Sequence, residues 1–497
     1  MRIAHRRSAV TRVSAIIGIV AAAAALALAQ EAQTPTPSTK GMVAKGKAPV
    51  NEAVLEVKLP RPQEADLPNG LHLIVLEDHR APLVTFSLIV RGAGGYYDPE
   101  ALPGLASFTA SLMREGTATR TSQQISEQLE RMAANLSINA GMSSVESTVS
   151  GSSLSENFAD VMAITADVLL NPSFPDKEIV LFKQRTGAQL TQQRSQPGFL
   201  ASERFARVVY GNHPASRVAP TPEALNAVTR AQLAEFHKAH YAPDRAALAV
   251  AGDVSMAEVR QLVETHLGGW KKAGTPAPGI AEPPAAGPAR VYLVARPNSV
   301  QTNLVVGTQA INRTSPDYDV VQVMNKIIGG GPTGRLFMLL REEKGYTYGA
   351  YSVIAASQYR GAWQASTQVR TEVTEPALRD LLGELATMRD RPVPATDLQI
   401  AKRSMVASFA LSLESPPQML GYYTTRWLYD LPADYWDKFP ERTMAVTAVQ
   451  VQDASKKYLD PARVQIVAVG DASKIEAALA KFGPLEVYDT EGKRVSQ

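Results

Sequence analysis

The sequence predicts an α+β protein built from two copies of one domain, each a mostly antiparallel sheet packed with helices. Three observations favour this fold class. The chain has 497 residues, 45% of them apolar and 20% charged, which is enough to bury large hydrophobic cores. Segments with the period of a strand and segments with the period of a helix are interspersed along it. A group of residues near position 250 recurs in the same order near position 470.

The recurring residues keep an almost constant separation. The matched groups are Val228-Thr229 with Val446-Thr447, Tyr241 with Tyr458, and Gly252-Asp253 with Gly470-Asp471. Their offsets are 446 − 228 = 218, 458 − 241 = 217 and 471 − 253 = 218 residues. A constant offset across several matched groups indicates a duplicated domain of about 218 residues.

The first copy shows how strands and helices are interspersed. Runs of β-branched and apolar residues between turn signals predict strands, and apolar residues three or four positions apart predict helices. The expected strands are 71–76, 84–90 and 246–250, and the expected helices are 104–113, 122–136, 158–170, 177–193 and 230–240. Paired strands followed by helices indicate helices packed on a sheet.

One of these helices has a clear start signal. Thr121 precedes the segment 122–136, and Gln124 follows Thr121 three residues later, which is the spacing of a capping box. The apolar residues of this segment fall on one helical face: Ile125, Leu129, Met132 and Leu136. We therefore expect one continuous amphipathic helix over 122–136.

Composition excludes several classes of function. The chain has no Cys, which excludes disulfides, thiol catalysis, iron–sulfur clusters, cysteine zinc sites and an N-terminal lipoprotein anchor. The formal charge is 51 − 48 = +3, and four of the positive charges lie within the first 29 residues: Arg2, Arg6, Arg7 and Arg12. The remainder carries 47 − 48 = −1. A basic face for nucleic acid is therefore not expected.

Residues 1–29 have the features of a secretory signal peptide. A basic start is followed by an apolar run from Val13 to Leu28 and a small-x-small ending. We predict cleavage after Ala29 and a periplasmic mature protein. The other interpretation is an uncleaved anchor, which the shortness of the apolar run disfavours. No later segment resembles a membrane span, so none is expected after cleavage.

Two segments without periodic apolar residues divide the mature chain. Residues 30–50 are rich in Pro, Thr, Lys and Gly and predict a flexible linker. Residues 272–288 are rich in Pro and predict a second linker. The two domains are therefore expected at 51–271 and 289–490.

Several well-known catalytic motifs do not occur in the sequence. There is no G-x-S-x-G, no H-E-x-x-H and no H-x-x-E-H. The glycine-rich segment 329–336 has P-loop-like spacing, but it lacks the Lys and the Ser or Thr that would hold phosphate and magnesium. The second copy has no His, and we interpret His237 and His240 as a solvated helix end.

The segment from Gly104 to Met113, followed by Gly116-Thr117, resembles the zinc helix of the insulinase/pitrilysin (M16, mitochondrial processing peptidase-like) metallopeptidase family. That family carries H-x-x-E-H there. The corresponding positions in this chain are Ser107, Ala110 and Ser111. The family's third ligand is a Glu, and its position falls at or next to Gln189, downstream of the matching segment 171–174.

The resemblance therefore implies a degenerate zinc site. Ser hydroxyls and a Gln amide stay neutral and are poor zinc ligands. Without zinc no bound water has its pKa lowered towards neutrality, and without the Glu no base takes the proton of that water. We expect no metal in this chain and no hydrolysis by this chain alone.

The second copy resembles the same family at a different motif. Gly329-Gly330-Gly331 is followed by a segment ending Leu340-Arg341-Glu342, and Tyr348 lies seven residues after Arg341. In the family this Arg/Tyr pair reaches a zinc site on a facing domain, where it binds substrate and stabilises the oxyanion. The alternative interpretation is structural: Arg341 pairs with a neighbouring Glu, and Tyr348 packs on the sheet.

The retained pair and the erased zinc site together predict a subunit that acts with a partner. The resemblance implies a zinc-less half of a clamshell chamber in a periplasmic heterodimeric peptidase, with zinc and H-x-x-E-H in the partner and peptides or unfolded polypeptides as substrates. Two alternatives remain. One is a purely structural or peptide-binding protein of the same fold, and the other is an independent peptidase with a relocated metal. Heterodimer and homodimer are not distinguished by the sequence.

Overall fold

The computed structural model describes residues 57–495 of the chain. The predicted signal peptide, its cleavage point and the linker 30–50 lie outside the described residues. Within 57–495 the chain folds into two α+β halves, each containing one six-stranded sheet packed with helices. The predicted fold class is confirmed.

The first half contains strands and helices in a mixed order, and its elements are β1 (Gln63–Asp66), β2 (His72–Glu77), β3 (Leu83–Arg91), α1 (Leu105–Met113), α2 (Ser122–Arg131), β4 (Asn135–Ala140), β5 (Glu146–Leu154), α3 (Phe158–Leu170), α4 (Asp176–Arg194), α5 (Pro197–Tyr210), α6 (Pro222–Ala227), α7 (Arg230–His240), β6 (Ala246–Gly252) and α8 (Met256–Leu267). Short 3₁₀ turns occur at Gly95–Tyr97, Ser155–Asn157, Pro214–Ser216 and Pro243–Arg245.

The second half follows the same plan, and its elements are β7 (Arg290–Ala295), β8 (Gln301–Gln309), α9 (Tyr318–Ile328), α10 (Arg335–Phe337, continued as a π-helix over Met338–Glu343), β9 (Thr347–Ala355), β10 (Ala362–Arg370), α11 (Thr374–Asp390), α12 (Ala395–Ser412), α13 (Pro416–Leu428), α14 (Phe439–Ala445), α15 (Ala448–Tyr458), β11 (Gln465–Gly470), α16 (Ala472–Leu479) and β12 (Leu485–Tyr488). Short 3₁₀ turns occur at Thr371–Val373 and Ala480–Phe482.

The two sheets have matching strand orders. The first runs β1-β2-β6-β3-β5-β4, and the second runs β12-β7-β11-β8-β10-β9. In each sheet a central pair is parallel, β2 with β6 and β7 with β11, and the next three neighbours are antiparallel. Only the outer strand differs, because β1 is antiparallel to β2 whereas β12 is parallel to β7. This shared topology confirms the duplication predicted from the repeat.

Each half has its own hydrophobic core between the sheet and its helices. In β3 every second residue is buried against the helices, including Val84, Phe86 and Leu88. In the second half Trp363 of β10 is fully buried in the equivalent core. Alternation along the strands thus sets which face carries helices and which face is left for other contacts.

One helix of each half covers the other face of the opposite half's sheet. Phe205 and Val209 of α5 pack with Val305 and Val467 of the second sheet. In the same way α13, through Met419 and its neighbours, packs on residues of β2 and β6 in the first sheet. The two halves therefore share apolar cores, which ties them together by the hydrophobic effect.

The helix predicted over 122–136 is shorter than expected. The capping box is present, since the Thr121 N–H donates to Gln124 Oε1 at 2.9 Å and the Gln124 N–H donates to Thr121 Oγ1 at 3.2 Å. The helix nevertheless ends at Arg131, and Ala133 takes a left-handed φ of 49°. Leu136 belongs to β4 instead. Its apolar side chain fits the period of either element, so the periodicity alone misassigned it.

The Pro-rich connection between the halves contacts both of them. Residues 268–289 contain no helix or strand. The Ala281 N–H donates to the Tyr96 hydroxyl at 2.7 Å, and Glu282 Oε2 accepts from the Arg360 N–H at 2.9 Å. None of the helices in the described part of the chain is both long and apolar enough to cross a membrane.

Candidate functional site

The first sequence-predicted site lies on helix α1. Ser107 and Ser111 are four residues apart and therefore share one face of the helix. Ser111 is exposed and Ser107 is half-buried, whereas Ala110 is buried, with 1% of its surface exposed. The structure therefore brings the two serines together but directs the third position towards the core.

Helix α1 begins at a buried carboxylate. Asp98 accepts hydrogen bonds from the Gly104 N–H at 2.6 Å and the Ala106 N–H at 2.8 Å, so it satisfies two donors of the first turn. Only 5% of Asp98 is exposed. Burial raises the pKa of Asp98 to about 6, although the two backbone N–H groups and Arg217 act in the opposite direction.

The raised pKa of Asp98 predicts a pH-dependent stability. Its contribution is fully present below the ordinary value of 3.8 and is lost as the pH rises through about 6, because ionising the buried group is unfavourable. Relative to wild type, Asp98→Asn should therefore gain about 2 kcal/mol of unfolding free energy between pH 4 and pH 7. Urea unfolding of both proteins at each pH measures this gain. A constant difference between them would contradict the prediction.

The turn that follows α1 is held by a second carboxylate. Asp167 Oδ2 accepts hydrogen bonds from Thr117 Oγ1 at 2.7 Å, Thr119 Oγ1 at 2.9 Å and Arg120 Nη1 at 2.6 Å. Burial opposes ionisation, but these hydrogen bonds and one from Asn171 outweigh it and lower the pKa of Asp167. Hydrogen bonds to a carboxylate thus hold both the start of α1 and the turn that follows it.

Gln189 lies on helix α4 and is exposed. It is two helical turns beyond Phe182, whose ring contacts Phe108 of α1 with the centroids 5.6 Å apart. Gln189 therefore lies on the side of α4 that includes the contact with α1. Its role as the former third ligand position stays a prediction.

The residues at these four positions do not fit a zinc ion. Two Ser hydroxyls, an Ala methyl and a Gln amide offer neither an imidazole nor a carboxylate. Within residues 57–495 no group of three or more His, Cys, Asp or Glu side chains is arranged to hold a metal ion.

His237 and His240 are partly buried, so the prediction of a solvated helix end is wrong. His237 Nε2 lies 2.8 Å from the Leu169 carbonyl, and His240 Nδ1 lies 2.5 Å from the Gly92 carbonyl. Burial lowers the pKa of both imidazoles, which favours neutral rings that donate to these carbonyls. The two rings connect the end of α7 to α3 and to the end of β3.

The second sequence-predicted site lies where α10 passes into β9. Arg341 occupies the π-helical part, with 45% of its side chain exposed. Its Nε lies 3.4 Å from Glu342 Oε1, and its guanidinium lies 4.8 Å from the centre of the Phe337 ring. The ion pair of the structural interpretation is therefore present, but an exposed pair of this kind contributes little to stability.

Tyr348 is the second residue of β9 and is 89% exposed. It does not pack on the sheet, contrary to the structural interpretation. The helix is terminated by Gly345 at a left-handed φ of 62°, and the Tyr346 N–H donates to the Leu340 carbonyl at 2.9 Å. In the described part of the chain no hydrogen bond joins Arg341 to Tyr348, and both side chains are accessible to solvent.

Asn325 supports this region and was not identified from the sequence. Its Nδ2 donates to the Ser352 carbonyl of β9 at 3.2 Å, and its Oδ1 accepts from Trp363 Nε1 at 3.0 Å. The Ser352 N–H donates to the Gly329 carbonyl at 2.9 Å, so the outward-facing backbone groups of Ser352 on this edge strand are satisfied. The available signal was an Asn on the helical face of α9 that Val321 and Ile328 otherwise make apolar.

The duplicated fold, with a peptidase-like helix in one half and an Arg/Tyr motif in the other, is that of a metallopeptidase-type chain. The domain family described as Insulinase (Peptidase family M16) matches residues 73–221, and the one described as Peptidase M16 inactive domain matches residues 227–405. This chain belongs to the insulinase/pitrilysin (M16) family.

Relatives and solved structures agree with this assignment. An uncharacterized zinc protease of Mycobacterium leprae is 25% identical over 355 residues, covering 70% of this chain and 78% of that protein. One from Bacillus subtilis is 23% identical over 349 residues, covering 70% and 83%. The crystal structure of a peptidase M16 inactive domain from Pseudomonas fluorescens covers 82% of this chain and 98% of its own, with 28% identity and a TM-score of 0.77. A Helicobacter pylori protease covers 83% and 100% at 15% identity and a TM-score of 0.77, a likeness of fold alone.

Proposed function

We propose that this protein is the zinc-less subunit of a periplasmic heterodimeric M16-type peptidase. It would not hydrolyse peptides alone. Its partner would carry H-x-x-E-H and zinc, and this chain would supply Arg341 and Tyr348 to the partner's active site. The substrates would be peptides or unfolded segments.

The contrast between the two halves carries this proposal. In the first half, Ser107, Ala110 and Ser111 offer no metal-binding group. In the second half, Arg341 and Tyr348 are retained, and both side chains reach solvent rather than a core. A phenol that is 89% exposed stabilises little within its own chain, so a role towards a molecule outside the chain accounts for its position.

The chemistry of the pair suits peptide hydrolysis. A guanidinium donates hydrogen bonds in a planar fork, and a phenol donates one more. Donors of this kind stabilise a carbonyl oxygen that acquires negative charge, particularly where water is excluded. Arg341 would have to exchange its surface pair with Glu342 for the substrate oxygen, which costs little because that pair is exposed.

The periplasmic location rests on the predicted signal peptide of residues 1–29 and the absence of Cys from the whole sequence. Export of a fusion to alkaline phosphatase, followed by N-terminal sequencing of the mature chain, tests this part. An N-terminus at Gln30 is the expected result. A chain retained in the cytoplasm would contradict it.

Coexpression with an exported M16 chain that carries H-x-x-E-H tests the proposed function. We expect the two chains to co-purify, with about one zinc per complex and peptidase activity that neither chain shows alone. Zinc bound to this chain alone, at about one equivalent, would contradict the proposal and favour a relocated metal site.

A second candidate is a purely structural or peptide-binding protein. The match to a peptidase M16 inactive domain favours a non-catalytic role and is compatible with this alternative. Peptide binding without cleavage in every assembly would support it. The retained Arg/Tyr pair favours the first candidate, because a purely structural protein has no use for an exposed oxyanion donor.

A further inference from the structure

A pocket with a volume of about 200 Å³ opens in the second half, away from Arg341 and Tyr348. Helix α11 forms one side of the pocket through Leu382 and Leu385. The other side is formed by the segment after α15, the starts of β7 and β11, and Phe482 in the turn after α16. Most of the lining is apolar, and Arg389 of α11 is among the lining residues.

The first half has a larger aromatic residue at a position equivalent to one that lines this pocket. Helices α8 and α16 each end three residues before an aromatic residue, Trp270 or Phe482. In the first half Trp270 Nε1 donates to the Tyr241 carbonyl at 3.3 Å, and both residues are buried.

The second half has a smaller residue at this position. Phe482 stands where the first half has Trp270, and it lines the pocket together with Leu459. Protein interiors are normally filled to crystal-like density, so an apolar space beside a smaller side chain suits a ligand that fills it.

Arg389 adds a polar group that lacks a partner. Its Nε atom is buried and has no hydrogen-bond acceptor in the part of the chain that the structure describes. The neighbouring Arg290 differs, because its Nη1 pairs with Glu486 Oε1 at 2.8 Å. The charges of Arg389 and Arg290 among the lining residues favour an anionic ligand over a neutral one.

We propose that this pocket binds a small carboxylate with an apolar tail of about six to eight carbon atoms. The tail would fill the space beside Leu385, Leu459 and Phe482, and the carboxylate would accept a hydrogen bond from Arg389. The volume supports this size, because an apolar cavity of about 150 Å³ is sufficient for benzene. The charge of Arg389 sets the preference for an anion over a neutral or cationic ligand.

Calorimetric titration of the full-length chain with hexanoate, phenylacetate and hexan-1-ol tests the proposal. We expect saturable binding of both acids at one site. Hexan-1-ol has the same tail without the charge and should bind about tenfold more weakly. The absence of saturable binding by either acid, or equal binding of hexanoate and hexan-1-ol, would overturn the proposal.

Two variants locate the site. Arg389→Gln should weaken hexanoate binding about tenfold while leaving hexan-1-ol unchanged. The matched control is Arg391→Gln, at an exposed arginine that does not line the pocket, and it should change neither. Phe482→Trp restores the residue type of the first half and should abolish binding of both probes. If Phe482→Trp does not fold, the Arg389→Gln result decides, and hexanoate affinity unchanged by Arg389→Gln overturns the proposal.

Discussion

Replacing Arg341 by Ala in the assembled complex should lower kcat/KM for peptide cleavage by about 100-fold, since the loss of one oxyanion donor costs about 2.7–4 kcal/mol. Tyr348→Phe removes a single hydroxyl and should lower kcat/KM by about tenfold or more. Because both side chains are exposed in the free subunit, neither change should alter its folding. Steady-state cleavage of a fluorogenic peptide, with the amount of complex checked by gel filtration, measures the effect.

Matched controls distinguish this role from a general effect of removing an exposed guanidinium or an exposed phenol hydroxyl. Arg379 is 67% exposed and pairs with Glu375 on α11, so Arg379→Ala removes a guanidinium that is likewise exposed and paired with a Glu. Tyr351 is exposed on the same strand as Tyr348, so Tyr351→Phe removes a neighbouring hydroxyl. Both controls should cleave at the wild-type rate. If Arg341→Ala and Tyr348→Phe do so as well in an intact complex, the two residues do not complete the partner's site.

The parts of the fold that follow local rules could be predicted from the sequence. The helices Phe158–Leu170 and Arg230–His240 match the predicted ranges, because each has a long apolar period and clear ends. The repeat could be found because the same capping box, Thr229 with Gln232 and Thr447 with Gln450, starts the equivalent helices.

Other parts depend on contacts that one segment of sequence does not contain. Strand β5 was not predicted, because between Glu146 and Leu154 it consists mainly of Ser and Thr, with Val149 as the central apolar residue. Helix α5 was not predicted either. Its apolar face packs on the sheet of the other half, through contacts such as that of Phe205 with Val305, and only the folded chain shows that partner.

The candidate site also has features that the sequence predicts and features that only the structure shows. The resemblance of short motifs identified Ser107, Ser111, Arg341 and Tyr348 by position. The burial of Ala110 and the exposure of Tyr348 needed the structure, because both depend on how a helix or strand end is packed. The exposure of Tyr348 contradicts one part of the structural interpretation, whereas the ion pair of Arg341 with Glu342 agrees with the other part.

The repeated Gly-Asp motif provides the second large prediction, because its two glycines differ in structure. Gly252 has a left-handed φ of 137°, and a Cβ added there would lie 2.0 Å from the Leu83 carbonyl oxygen. Gly252→Ala should therefore combine backbone strain with a clash against β3, and we expect it to lower the free energy of unfolding by about 4 kcal/mol. The midpoint of urea unfolding measures this loss.

Gly470 is the matched control, since it ends β11 as Gly252 ends β6. Its φ lies outside the left-handed region, and an added Cβ would meet Ile475 Cδ1 at 2.8 Å, the flexible end of a side chain. Gly470→Ala should therefore cost only about 1 kcal/mol. Equal losses of unfolding free energy at the two positions would contradict this prediction, because they would indicate the same structural requirement for glycine in both halves. A larger loss at Gly252 would show that only the first half requires glycine at this position, although both halves have it.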